Sequence, residues 1–158
     1  MSVRLVVLQL AAMLLAGSGA LAQRAPVPPE VATVQAAIEA QCGGKASFKP
    51  GFQRVADFNG DGLPDYLLDY GAAECVGGEM VNPFCGSGGC TLDIFVSAAD
   101  GYRQAYGDNV RDWSLATGRG RPVLLLGLHG SACGRAGFEP CRKRLRWDGD
   151  RFVAAPAR

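Results

Sequence analysis

The chain has 158 residues, of which 16 are Lys or Arg and 15 are Asp or Glu, so its formal net charge is +1. This length allows one domain with a modest core, and the near balance of charge argues against nucleic acid as a partner. The charge is uneven along the chain, with 11 acidic and 5 basic side chains in residues 23–108 but 4 and 10 in residues 109–158. This pattern indicates either two faces of opposite sign or internal compensation.

The first 22 residues have the pattern of a cleaved export signal. A short positive start at residues 1–4 is followed by an apolar run at residues 5–16 and an A-x-A cleavage site at residues 20–22. The run is shorter than the roughly 20 residues of a membrane-spanning helix, and no cysteine for lipid attachment lies at the cleavage point. We therefore expect a periplasmic or secreted protein without a membrane anchor. Abundant Ala, Gly and Arg are typical of a GC-rich bacterial genome, which favours the periplasm.

Residues 23–28 form a Pro-rich leader that we expect to be disordered. Residues 29–41 are predicted to form an α-helix, since Val31, Val34 and Ile38 make one apolar stripe at helical spacing. Pro29 suits the first turn of this helix and Gly43 suits its end. From residue 29 to residue 158 we expect a single disulfide-rich β domain.

After the helix, apolar and polar residues alternate in short runs that end at Gly-rich turns, which predicts β-hairpins. The predicted strand pairs are 52–57 with 65–70, 91–96 with 102–106, 110–116 with 122–129, and 142–147 with 151–153. A continuously apolar stretch at residues 124–126 predicts a central strand. The expected fold is mainly β (α+β), with about eight antiparallel strands and one N-terminal helix.

The sequence at residues 57–65, DFNGDGLPD, places oxygen-bearing side chains at positions 1, 3, 5 and 9 and glycine at position 6. Calcium prefers six to eight oxygen ligands, and a curl of chain would bring these oxygens to one centre. Gly62 permits the sharp turn. The expected calcium ligands are the side chains of Asp57, Asn59, Asp61 and Asp65 and the backbone carbonyl of Leu63. There are two alternatives to a functional calcium site. The segment could be an ordinary turn without an ion, or the ion could only stabilise the fold.

The loop differs from a helix–loop–helix calcium site in two ways. Its flanking segments have the pattern of strands, and Leu68 occupies position 12, where the helix–loop–helix site has a bidentate Glu. The segment VADFNGDGLPDYLL resembles the calcium loop of FG-GAP/VCBS-type repeats, which form the blades of integrin-like β-propellers. The resemblance implies a calcium site in a β-hairpin. It covers about 20 residues and occurs once, whereas a propeller typically has 4–8 blades, so only the loop is carried over.

Six cysteines, an even number in an exported chain, predict three disulfides. We favour local pairs where the chain allows them. Cys85 with Cys90 encloses a Gly-rich loop, Cys133 with Cys141 brackets a turn, and Cys42 with Cys75 then ties the helix to the end of the first hairpin. A zinc site is the competing interpretation, but the chain has no C-x-x-C pair and one His.

Two further clusters are candidates for a ligand or partner. His129, the only histidine, lies where the apolar strand opens into a loop of small residues that includes Ser131. Arg142, Arg144 and Arg146 alternate along a strand and are expected on one face, where they could meet an anionic partner or simply be solvated.

Three functions are consistent with these features. The first is an exported, calcium-binding β domain with a binding or structural function in the bacterial envelope, whose partner is a protein or a glycan. The second is a small periplasmic inhibitor or accessory protein, of the kind that blocks lysozyme, which would use a loop such as residues 132–141. The third is a small hydrolase. We expect a non-enzymatic protein.

Overall fold

The computed structural model describes residues 27–77, 82–117 and 120–156. The predicted export signal (1–22), most of the predicted leader (23–28) and the centre of the turn at residues 118–120 lie outside the described residues. Pro28, the last leader residue, is buried at the start of the helix, so it belongs to the folded domain. No helix among the described residues combines the length and the apolar character that crossing a membrane requires.

One α-helix, α1, spans Pro29–Gln41 as predicted, and buries Val31 and Ile38. Within the described residues eleven strands follow it. They are β1 (Ala46–Phe48), β2 (Gln53–Ala56), β3 (Asp65–Asp69), β4 (Ala73–Cys75), β5 (Cys85–Gly86), β6 (Gly89–Ala98), β7 (Gly101–Val110), β8 (Asp112–Ala116), β9 (Val123–Leu128), β10 (Cys141–Trp147) and β11 (Phe152–Ala154). Two short 3₁₀ helices lie at Tyr70–Ala72 and Gly130–Cys133.

All sheets are antiparallel, and the mainly β prediction is confirmed. A five-stranded sheet has the order β2-β3-β6-β5, with β7 also paired to β6, and a four-stranded sheet has the order β11-β10-β9-β8. All four predicted hairpins are present, and β9 is central in its sheet. The prediction of about eight strands was too low, because it missed the short strands β1, β4 and β5.

The five-stranded sheet is covered on both faces. Side chains alternate across a strand, so Leu67 and Ile94 face the four-stranded sheet, in a core that also contains Leu126 and Trp147. On the opposite face, a second core places Val31, Ile38, Tyr66, Leu68 and Phe95 beneath the helix. The fold therefore has three layers, with the helix on one side and the second sheet on the other.

The structure contains the three disulfides that the cysteine spacing predicts, Cys42–Cys75, Cys85–Cys90 and Cys133–Cys141. The described residues include no free cysteine. The Cys42–Cys75 bridge joins the end of α1 to β4, and the other two close loops beside β6 and β10. Each bridge restricts the unfolded chain and can stabilise the fold by about 2–4 kcal/mol.

Candidate functional site

The loop between β2 and β3 curls around the first predicted calcium ligand, Asp57. Gly60 and Gly62 have φ values of 81° and 83°, a region that side chains other than glycine rarely adopt. In this conformation the N–H groups of Gly60 and Gly62 donate to the two carboxylate oxygens of Asp57, at 2.6 and 3.0 Å. Both glycines are therefore needed to bring backbone donors to this carboxylate.

Asn59 and Asp61 continue the same arrangement. Asn59 Oδ1 accepts a hydrogen bond from the Asp61 N–H at 2.9 Å, and Asp61 Oδ1 accepts one from the Leu63 N–H at 2.7 Å. The amide of Asn59 also donates to Asp61 Oδ2 at 2.9 Å. The side chain of Leu63, whose backbone carbonyl is a predicted ligand, is exposed. The side chains of the first three predicted ligands thus belong to one hydrogen-bonded cluster.

Asp65, the ninth position of the pattern, lies inside the fold with a relative exposure of 0%. Its Oδ2 accepts from the N–H groups of Phe58 and Asn59 at 2.7 and 3.1 Å. Its Oδ1 accepts from the Ser97 N–H at 2.8 Å and lies 3.0 Å from the Ser97 hydroxyl. Three backbone N–H groups therefore engage both oxygens of Asp65, and the one from Ser97 joins the loop to strand β6.

Ser97 was missed by the sequence analysis, although it contacts most of the loop. Its hydroxyl lies 2.6 Å from Asp61 Oδ2 and accepts from the Asn59 amide at 2.9 Å. The Ser97 hydroxyl, and next the Leu63 N–H, lower the pKa of Asp61 from its ordinary value, because both hydrogen bonds favour the ionised form. The exposed carboxylate of Asp61 is therefore negatively charged at neutral pH.

The side chains of the loop offer carboxylate and amide oxygens, which are the atoms that a hard cation such as calcium binds. Asp57 and Asn59 each retain oxygen lone pairs beyond the hydrogen bonds described above, as does Asp61 Oδ1. To coordinate the same ion, Asp65 would have to lose one of the hydrogen bonds it accepts from the protein or bind the ion through a water molecule. Within the described residues, no three His, Cys, Asp or Glu side chains lie together in a group that could hold a metal ion. Calcium binding at this loop stays a prediction.

Arg121 packs directly against the loop. A Cβ atom on Gly60 would displace the flexible Arg121 guanidinium, so the positive φ value is the main reason for glycine at this position. The contact brings a base from the basic part of the chain to the acidic loop. It is one example of the internal compensation that the charge distribution suggests.

The Cys133–Cys141 disulfide closes a second distinctive loop, which exposes a large apolar side chain. Phe138 is 85% exposed, although burying a side chain of this size is favourable by about 1.5–3 kcal/mol. The loop is held by a hydrogen bond from the Gly130 N–H to the Gly137 carbonyl at 3.1 Å and by one from the Arg135 guanidinium to the Pro140 carbonyl at 3.0 Å. The sequence indicated this loop as a possible binding surface, but it did not indicate that Phe138 is exposed.

His129 lies at the base of the same loop, as predicted, and its Nδ1 is 2.7 Å from the hydroxyl of Ser131. The other ring nitrogen faces the Cα of Gly137. Within the described part of the chain this is the one hydrogen bond of the imidazole, so no carboxylate orients it as the acid of a catalytic triad would. The pair is a local contact that holds the start of the loop.

The three arginines of β10 lie on the outer face of the four-stranded sheet, since Cys141, Leu145 and Trp147 face the core. Arg142 forms an ion pair with Asp112, and this pair passes over Gly127, where a Cβ would collide with both side chains. Arg144 is half-buried, and its Nε has no hydrogen-bond partner among the described residues. Arg146 is exposed. The face therefore keeps a positive charge after Arg142 is paired.

Comparisons of this chain with protein family models, with curated proteins and with solved structures gave no match.

Proposed function

We propose that the chain is an exported, calcium-binding β domain of the bacterial envelope that binds a partner protein and catalyses no reaction. The pattern of residues 1–22 supports export. Three disulfides are compatible with that location, because disulfides persist in oxidising compartments. The oxygen-rich cluster of Asp57, Asn59 and Asp61 supports calcium as the ion.

A single observation favours a binding function, namely the exposure of Phe138 on a restrained loop. An aromatic side chain on a loop whose backbone is already restrained costs less conformational entropy to order when a partner covers it. Aromatic anchors of this kind dominate the energetics of many protein interfaces. A glycan partner is the alternative for which the arginine face is better suited.

The loop also supports a second candidate, an inhibitor or accessory protein. A rigid loop with a projecting aromatic side chain is suited to filling the cleft of an enzyme, since preorganised loops bind with a low entropic cost. The two candidates differ in what the partner does, and they share the surface. An enzyme partner whose activity falls on binding would identify the chain as an inhibitor.

The test is affinity capture from an envelope extract in calcium, with quantification of each bound protein. We expect at least one protein to be enriched and its recovery to fall at least tenfold with Phe138→Ala. Val76→Ala is the matched control, because Val76 is an exposed apolar residue outside the loop, and it should leave recovery unchanged. Equal recovery with the parent protein and both variants would contradict the proposal.

A further inference from the structure

A cleft of about 1150 Å³ separates the edge strands of the two large sheets. β2 is the edge of the five-stranded sheet, and β8 is the edge of the four-stranded sheet. All four residues of β2 line the cleft, and so do residues 112–115 of β8. The volume is similar to that of the largest ligand pockets, which reach about 1,000 Å³.

The backbone groups that β2 turns toward the cleft follow from its pairing with β3. The Asp69 N–H donates to the Phe52 carbonyl at 2.8 Å, which makes Phe52 and Asp69 a hydrogen-bonded pair. In an antiparallel ladder such pairs alternate with pairs whose backbone groups point away from each other. Arg54 therefore bonds to β3, while the N–H and C=O groups of Gln53 and Val55 point outward.

The same alternation fixes the outward groups of β8. The Ala155 N–H donates to the Arg144 carbonyl at 2.8 Å, so Arg144 bonds toward β11 and its neighbours in β10 bond toward β9. The registers of β9 with β10 and with β8 extend this alternation to β8. The backbone groups of Trp113 and Leu115 therefore point away from β9. Within the part of the chain that the structure describes, each side of the cleft thus presents an unpaired strand edge, which is a template for another strand.

A shared starting point at Asp69 indicates that the two edges run in the same direction. β2 begins beside Asp69, which pairs with Phe52 through its backbone, and β8 begins beside the same residue, because the Trp113 indole donates to Asp69. Both strands then lead away from this end of the cleft. One peptide strand that runs the opposite way would be antiparallel to both edges.

The basic side chains that line the cleft outnumber its unpaired carboxylates. Asp69 accepts hydrogen bonds from two neutral groups, the Trp113 indole and the Gly71 N–H, and keeps its negative charge, whereas Asp112 is paired with Arg142. Arg54 is exposed and has no ion-pair partner within the described residues, where the Arg111 guanidinium likewise donates to the Ser87 carbonyl and to no carboxylate. A bound segment with an acidic side chain would complement these two guanidinium groups.

We propose that this cleft binds an extended, acidic peptide segment of another protein, which adds as a β-strand between β2 and β8. Four residues of β2 span about 13 Å at roughly 3.3 Å per residue, so the bound core would be about four or five residues long. Main-chain hydrogen bonds would supply affinity, as in other cases of strand addition. The site adjoins the Phe138 loop, since Arg111 and Asp112 also line a small cavity beside Phe138, but β2 lies outside that cavity and the proposal would stand if Phe138 had no partner.

A displayed library of random linear decapeptides tests the proposal on the purified mature protein. We expect enrichment of peptides that combine alternating β-branched or aromatic residues with Asp or Glu. Val55→Pro should weaken binding of the selected peptide at least tenfold, because it removes an outward N–H without touching the bonds to β3. Val55→Thr is the matched control, since it keeps that N–H and should bind like the parent protein.

A second measurement does not depend on the folding of a variant. The selected peptide should slow hydrogen exchange at the Val55 and Leu115 amides, and a copy N-methylated at alternate residues should neither bind nor protect them. The proposal is overturned if no peptide is enriched, or if the N-methylated copy binds equally well. It is also overturned if the protein forms a dimer that Val55→Pro abolishes, because the occupant would then be a second copy of this chain.

Discussion

The indole N–H of Trp113 donates to Asp69 Oδ2 at 2.7 Å. Trp113 lies on β8, in the four-stranded sheet, and Asp69 is the last residue of β3, in the five-stranded sheet. Asp69 Oδ1 also accepts from the Gly71 N–H at 2.8 Å. The carboxylate therefore joins the two sheets at one end of the cleft, near the start of both edge strands.

We expect this bond to contribute measurably to stability, because a hydrogen bond to a charged acceptor is stronger than a neutral one. A double-mutant cycle with Trp113→Phe and Asp69→Asn should give a coupling free energy of about 1–2 kcal/mol in urea unfolding. The cycle removes the effects of lost aromatic area that each single substitution carries. Additive effects of the two substitutions would show that the bond does not hold the sheets together.

Asp65→Ala should be among the most destabilising substitutions in the chain. The carboxylate is fully buried, and its removal leaves three backbone N–H groups, those of Phe58, Asn59 and Ser97, without their acceptor. We expect the free energy of unfolding to fall by about 3–5 kcal/mol, measured by urea denaturation at pH 7. Asp61→Ala, at an exposed position of the same loop, is the control and should cost much less. A loss below about 1 kcal/mol for Asp65→Ala would contradict the function assigned to this residue.

Stability should fall in alkaline solution. Burial raises the pKa of Tyr106 from 10.0 to about 12, with a smaller contribution from the nearby Asp108 carboxylate. A phenol whose pKa is higher in the folded state adds stability below its unfolded pKa and loses that contribution as the pH rises from about 10 toward 12. Tyr106→Phe should therefore show a shallower decline in unfolding free energy over this range. Equal slopes for the parent protein and the variant would contradict the assignment.

Local pattern was sufficient to predict the helix, the four hairpins and the disulfide pairs. The apolar stripe of Val31 and Ile38 and the short spacings within the Cys85–Cys90 and Cys133–Cys141 pairs are properties of neighbouring residues. Strands β1, β4 and β5 were missed because they have only two or three residues and their pairing depends on the tertiary fold.

The candidate site was predicted less completely, for a related reason. Ser97 reaches Asp65 across 32 residues of sequence because β3 pairs with β6, and nothing near either residue indicates this contact. The alternation of oxygen-bearing residues placed Asp65 among the calcium ligands, but the fold engages both of its oxygens with protein donors. The exposure of Phe138 likewise depends on how the disulfide-closed loop is held, which its sequence does not show.

The melting temperature of the mature protein in calcium and in chelator tests the central proposal most directly. Calcium at 100 times its dissociation constant would add about 2.7 kcal/mol, which corresponds to a rise of about 5–10 °C for a domain of this size. Asp57→Ala should lower the melting temperature and abolish the calcium-dependent rise, because it removes a ligand and the acceptor of two backbone N–H groups. Asp100→Ala, an exposed acid outside the loop, should keep the rise. Superimposable melting curves of the parent protein in calcium and in chelator would contradict calcium binding by this loop.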